Sequence, residues 1–209
     1  MNPRPAIAFA LTIGTLLVGC TPGAGPSPSP TSVSPTTVSS PSVAPTATIP
    51  PTPTPTAVES FPDDVAGDSA VQTEIRAGWQ NYYTVLDKFL RDPELKDLTE
   101  LQYVSTGQAA TDVVGVVVEH RDGNLVRKGD LILRDAVISE PVTNADGVTT
   151  AEVNYCFDPR HLQIVDATTG EPAANAIKPD QTMKVKVLME KMKDGSWRAA
   201  LSQTELAKC

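Results

Sequence analysis

Residues 69–91 read SAVQTEIRAGWQNYYTVLDKFLR and form the most regular stretch of the chain. Ser69 and Gln72 have the spacing of a capping box, in which each side chain accepts a backbone N–H from the other residue. Tyr83 lies at the edge of the apolar face that follows, where its hydroxyl could meet water or a ligand. That face repeats at helical spacing and comprises Val71, Ile75, Trp79, Tyr82, Leu86, Phe89 and Leu90. The pattern predicts an amphipathic helix over residues 69–91.

Two further helices are predicted before the pattern changes. Pro93 favours the start of a short helix whose apolar positions are Leu95, Leu98, Leu101 and Tyr103. The valine-rich run 106–120 has strand-forming composition. We nevertheless predict a helix there, because its apolar residues share one helical face and residues 122–124 (Asp-Gly-Asn) would end it.

The rest of the chain favours β-structure. Five segments are rich in β-branched or alternating residues, namely 126–138, 149–157, 162–166, 182–192 and 197–204. Turn sequences at 144–147 and 193–196 separate them as hairpins. In the fourth segment Lys184 and Lys186 alternate with apolar residues, so one sheet face is expected to be exposed to solvent. Helices followed by an antiparallel sheet indicate an α+β fold.

The N-terminus has the layout of an export signal. A single basic residue, Arg4, precedes an apolar run over 6–18 that is shorter than the roughly 20 residues of a membrane-spanning helix. Residues 17–20 (Leu-Val-Gly-Cys) resemble the lipobox of bacterial lipoproteins. The resemblance implies that residues 1–19 are a signal peptide and that Cys20 is lipidated, anchoring the protein to the outer face of the cell membrane. An ordinary signal peptide or an uncleaved anchor is the alternative.

Residues 20–60 are predicted to be a disordered linker that follows the lipidated cysteine. Residues 21–56 are mostly Pro, Ser and Thr and contain no charge and no aromatic ring, so they cannot bury enough apolar surface to fold. The linker is either a plain spacer or an O-glycosylated stalk. Residues 61–209 remain for a single domain, which carries the net charge of −8. An acidic domain without a basic stripe is not expected to bind nucleic acid.

Several motifs of this domain carry a resemblance to known families. They are residues 103–107 (Tyr-Val-Ser-Thr-Gly), 156–158 (Cys-Phe-Asp), 166–172, 195–198 (Gly-Ser-Trp-Arg) and the terminal Cys209. The helix order, the Ser-Thr-Gly before the third helix and the Gly-x-Trp-Arg near the end of the sheet resemble the nuclear-transport-factor-2-like (SnoaL-like) fold. More narrowly, the five motifs resemble lipoproteins of high-GC Gram-positive bacteria whose function is unknown. The resemblance implies helices on a curved sheet that forms a cone. It carries little function, because enzymes and inert adaptors share this fold.

Cys156 and Cys209 are the cysteines left once Cys20 is assigned to the lipid. Export would place both in an oxidising compartment, so we predict a disulfide between them. Two free thiols are the alternative. No spacing of Cys and His residues forms a recognisable metal site, and no cofactor is predicted.

The sequence shows no catalytic constellation. Tyr83, Asp112, His120 and His161 are the titratable candidates for a site in the cone, and none stands at a diagnostic spacing. Trp79, Tyr82 and Tyr83 are the candidate pocket residues, although such a stripe is also typical of core packing.

Three functions remain open. The first is a non-catalytic binding or adaptor domain in the cell envelope, whose partner is an envelope protein or a small apolar ligand. The second is a small hydrolase or isomerase that uses the cone pocket. The third is a phage or prophage superinfection-exclusion lipoprotein. We favour the first.

Overall fold

The computed structural model describes residues 59–62, 67–174 and 176–209. The predicted signal peptide 1–19, Cys20 and the linker up to residue 58 lie outside the described residues. Helix α1 spans Ala70–Arg91, and Ser69 caps it as predicted. The Ser69 N–H donates to Gln72 Oε1 at 2.9 Å, and the Gln72 N–H donates to Ser69 Oγ at 3.3 Å. The described part of the chain contains no helix that is long and apolar enough to cross a membrane.

The predicted helix starting at Pro93 is wrong. The chain instead turns irregularly and forms one 3₁₀ helix, Thr99–Tyr103. The carboxylates of Asp92 and Asp97 each accept a hydrogen bond from the backbone N–H two residues further on, both at 2.9 Å. Such local bonds compete with helical ones, so they break the segment into turns. The helix predicted over 106–120 is confirmed as α2, Gly107–Asp122.

Within the described residues, seven strands follow in two antiparallel sheets. Their bounds are β1 Leu125–Gly129, β2 Ile132–Ile138, β3 Val142–Thr143, β4 Thr149–Asp158, β5 Leu162–Asp166, β6 Met183–Lys191 and β7 Trp197–Leu206. The main sheet has the order β2-β4-β6-β7, with β3 paired to β4, and β1 pairs with β5 in a separate ribbon. The α+β class is therefore confirmed.

The single strand predicted over 126–138 is in fact two strands in different sheets. Gly129 takes a φ of 78° at the break. A Cβ atom at this glycine would lie 1.9 Å from the His161 carbonyl oxygen, so no other residue fits without moving the backbone. The turn at Gly129 redirects the chain from the β1–β5 ribbon into the main sheet.

The main sheet has an inner face covered by the helices and an outer face that is open. Inner-face side chains of β4, β6 and β7 pack against α1 and α2, including Val153, Tyr155, Val187, Met189 and Ala199, all of them buried. Lys184 and Lys186 lie on the outer face, which confirms the solvent-exposed face predicted for β6. Bulges in β2 and at the β6–β7 pairing interrupt the register, and bulges bend the strands that carry them.

Residues 59–62 also pack on the domain. The Leu133 N–H donates to the Ser60 carbonyl oxygen at 2.9 Å, and the Phe61 ring meets the Trp79 ring edge-on at 5.3 Å. Ser60 and Phe61 therefore contact the strand β2 and the helix α1.

Candidate functional site

The three candidate pocket residues lie together inside the domain. Trp79 is fully buried, and Tyr82 and Tyr83 are 4% and 8% exposed. Tyr155 of β4 joins them, with its ring 5.1 Å from Trp79 and 5.6 Å from Tyr83. The rings meet edge-on or tilted, which is the preferred contact of aromatic side chains. These side chains fill the space between α1 and the sheet, so a ligand could enter only if they moved.

The interior hydroxyls are unsuited to proton transfer at neutral pH. The hydroxyls of Tyr83 and Tyr155 share a short hydrogen bond. Burial raises the pKa of both tyrosines, and the hydrogen bond to Tyr155 offsets part of the effect on Tyr83. Burial also raises the pKa of Tyr82. All three phenols therefore remain protonated, and none is a ready general base.

A partly buried ion pair lies near these tyrosines. Nη1 of Arg127 is 3.6 Å from Oδ1 of Asp87, and Asp87 also pairs with Arg91. Burial lowers the pKa of Arg127, and the charge of Asp87 opposes that shift. An arginine stays charged even so, and the pairing joins β1 to the C-terminal half of α1.

The other titratable candidates are not brought together. Asp112 is exposed and accepts a hydrogen bond from Gln108 at 2.7 Å. His120 lies eight residues further along α2, roughly 12 Å away at the rise of a helix, with Nδ1 3.0 Å from the Val116 carbonyl oxygen. Burial lowers the pKa of His120. His161 is exposed between β4 and β5. These residues form no catalytic arrangement with one another.

An open cavity of about 550 Å³ lies on the opposite side of the main sheet. We call it the outer trough. The strand register places Val137, Asn154, Lys186 and Gln203 in one row across four strands. The adjacent row is Arg134, Cys156, Lys184 and Glu205. Because alternate residues of a strand share a face, both rows point outward.

The edge of the trough on β2 is irregular. Asp135 takes a φ of 59°, which non-glycine residues rarely adopt, at the point where the β2–β4 register shifts. Val137 follows the bulge and is 68% exposed. A bulge redirects the side chains that follow it, and here it leaves an apolar side chain beside polar ones at the trough.

The predicted disulfide is present at one end of the trough. Cys156 and Cys209 are bonded, with Cα atoms 5.8 Å apart. Next to it, the fully buried carboxylate of Asp158 accepts hydrogen bonds from Arg160 at 2.6 Å and Arg134 at 3.1 Å. These bonds, chiefly those from Arg160, lower the pKa of Asp158 to about 2. The carboxylate stays charged at neutral pH and fixes the end of β4.

Sequence reasoning identified the tyrosines and the disulfide but missed the trough. The alternation in β6 pointed to a wet face, and this was the available signal for Lys184 and Lys186. Val137, Asn154 and Gln203 join them only through strand pairing, which the sequence does not fix. Tyr155 and Arg127 also lie far from the tyrosines of α1 along the chain.

Comparisons with known proteins concern the fold alone. No protein-family model and no curated protein matches the sequence. The domain is similar to the intermembrane space region of the chloroplast protein ARC6, at 15% identity, with 67% of this chain and 98% of that chain covered and a TM-score of 0.48. A periplasmic fragment of TraM is similar at 14% identity, covering 66% of this chain and 100% of that one, with a TM-score of 0.45. A ketosteroid isomerase-like protein from Erwinia carotovora atroseptica is similar at 14% identity, with 66% and 96% covered and a TM-score of 0.39. At these scores no residue role or activity is transferred to this chain.

Proposed function

We propose that this chain is an extracytoplasmic lipoprotein whose domain binds a protein partner of the cell envelope through the outer trough, without catalysis. One observation carries the proposal. The inner side of the sheet is filled by its own side chains, whereas the outer side presents an open trough of about 550 Å³. An enzyme of the cone type would need the reverse arrangement, with space inside and titratable groups facing it.

The disulfide supports the extracytoplasmic part of this proposal. Disulfides persist in oxidising compartments and are rare in the cytosol. The bond between Cys156 and Cys209 therefore agrees with the export signal expected in residues 1–19 and with lipidation of Cys20.

The chemistry of the trough suits a protein partner. Its side chains combine both signs of charge on Asp135, Lys184 and Glu205 with the amides of Asn154 and Gln203. The exposed Val137 adds an apolar contact at the rim. Protein interfaces of the non-obligate kind have this mixed character, whereas a nucleic acid would need a surplus of cations.

Site-specific photo-cross-linking in the producing cell tests the surface. A photo-reactive amino acid replaces Val137 in the trough or, as the matched control, Val118, which is exposed on α2 at 42%. We expect one discrete cross-linked protein from position 137 and none from position 118. Cross-links from position 118 alone would show that the partner binds at α2 and would refute binding through the outer trough.

Metabolic labelling with palmitate tests the anchor. Cys20→Ala should abolish the label and release the domain from the membrane fraction or leave the precursor uncleaved, since the thioether carries the lipid. Cys156→Ala is the control because it removes a cysteine that is disulfide-bonded within the domain. A labelled, membrane-bound Cys20→Ala protein would contradict the proposal.

A further inference from the structure

The last three residues cross the outer face of the main sheet. The chain leaves β7 at Leu206, and Cys209 is bonded to Cys156 on β4, two strands away in the sheet order. The Cys209 carbonyl oxygen also accepts a hydrogen bond from Arg134 of β2 at 2.8 Å. Residues 207–209, which we call the strap, therefore extend over β6 to β4. Cys209 lines the outer trough and closes one end of it.

Besides the disulfide and the hydrogen bond from Arg134, the contacts of the strap with the described residues are polar. The Cys209 N–H donates to Thr182 Oγ1 at 3.2 Å, and the Thr182 hydroxyl donates to the Ala207 carbonyl oxygen at 3.1 Å. Lys208 and Cys209 are exposed, and no strap residue belongs to the hydrophobic core. Hydrogen bonds at exposed positions contribute little net stability, and ordering three residues costs a comparable amount or more. The disulfide is thus the contact that decides whether the strap stays in place.

We infer that the Cys156–Cys209 disulfide is a redox-sensitive latch, which holds the strap across the outer trough and releases it on reduction while the domain stays folded. Cys209 is exposed at the rim, so a reductant can reach the bond without unfolding the core. Release removes one end of the trough and frees the Arg134 guanidinium from the Cys209 carbonyl. The consequence for binding rests on the proposed function, whereas the opening itself does not.

The chemical step is thiol–disulfide exchange with a dithiol reductant. A thiolate of the reductant attacks one sulfur of the Cys156–Cys209 bond. That bond breaks, the other protein sulfur leaves as a thiolate, and a mixed disulfide forms. The second thiol of the reductant then displaces the remaining protein thiolate. Two electrons pass to the protein, Cys156 and Cys209 each gain one proton, and the reductant ends as its own disulfide.

Thiol reactivity of Cys156 in the full chain tests the opening. Cys156 is 2% exposed beneath the strap, and Cys209→Ser removes the bond while preserving the size of the strap. We expect the Cys156 thiol of this variant to react readily with iodoacetamide, at a rate that low urea does not change, because the opening is local. In the double variant Cys209→Ser, Thr182→Ala the Cys156 thiol should react faster still, because the Thr182 hydroxyl no longer binds the strap. A rate that rises steeply with urea, in step with global unfolding, would overturn the latch.

Photo-cross-linking from position 137 tests the consequence for binding. We expect Cys209→Ser to lower the yield of the cross-linked partner about fivefold or more, the lower range of typical coupling between sites. An unchanged yield together with a reactive Cys156 would refute the regulatory role. If position 137 cross-links nothing in either protein, the proposed function fails. The opening of the strap is then tested by the reaction rates of the Cys156 thiol alone.

Discussion

Two helical glycines should respond in opposite directions to the same added methyl group. A Cβ atom at Gly78 of α1 would lie 2.7 Å from the Trp197 carbonyl oxygen and 2.8 Å from its Cβ, whereas a Cβ at Gly115 of α2 meets nothing within 4 Å. Alanine is favoured over glycine in a helix by about 1 kcal/mol. Gly115→Ala should therefore raise the free energy of unfolding by about 1 kcal/mol.

At Gly78 the gain in helix propensity is outweighed by overpacking. Such crowding costs up to about 3 kcal/mol, and the neighbour here is backbone, which cannot rotate away. Gly78→Ala should therefore lower the free energy of unfolding by about 2 kcal/mol net. For a domain of this size, each kcal/mol shifts Tm by about 2–4 °C, so thermal unfolding followed by far-UV circular dichroism separates the two variants. Equal shifts of the same sign would refute the close packing of α1 on β7.

Three further changes test the core, the buried carboxylate and the disulfide. Trp79→Ala should lower the free energy of unfolding by about 3–5 kcal/mol because it empties a fully buried site. The control Asn81→Ala, at an exposed position, should change the free energy of unfolding by less than about 0.5 kcal/mol. Urea midpoints of the two variants make the comparison. The pKa of Asp158 is about 2 in the folded protein, below the 3.8 of the unfolded chain. The charged carboxylate therefore stabilises the folded state by about 2 kcal/mol. This contribution is complete above pH 3.8 and is lost as the pH falls through 2. Asp158→Asn should remove that part of the acid-unfolding profile, and an unchanged profile would contradict the role of the carboxylate. The Cys156–Cys209 bond closes a loop of sequence separation 53. Its reduction should lower the free energy of unfolding by up to about 4 kcal/mol in the chain-entropy account, less whatever freedom the released strap gains in the folded state. Unchanged urea midpoints in dithiothreitol would contradict this prediction.

Features set by local interactions could be predicted from the sequence. The capping box of Ser69 and Gln72 involves neighbours on one helix turn, and the stripe through Trp79 follows from helical period alone. The length of α2 was predictable because Gly123 ends it. The turns at 144–147 and 193–196 likewise depend on residues within four positions of one another.

Features that need tertiary placement were missed. The break at Gly129 depends on the His161 carbonyl, which belongs to a strand turn 32 positions later. Arg76 sits in α1 among apolar residues and is 5% exposed, and its guanidinium binds Asp68 at 2.6 Å and the Ala136 carbonyl at 3.3 Å. Helical period alone does not reveal that such a charge is buried, because its partners come from outside the helix.

Access to the interior tyrosines tests the account most directly, since it separates a binding domain that uses its outer face from an enzyme that uses the cone. Aromatic ring resonances of Tyr83 and Tyr155 can be followed by NMR while a small apolar ketone, cyclohexanone, is added up to its solubility limit. Both rings are buried and their hydroxyls bind each other, so we predict that these resonances do not shift. Saturable shifts of both rings in the unaltered protein, with the Tyr83 shift lost in Tyr155→Phe, would show that the interior accepts a ligand and would contradict the account.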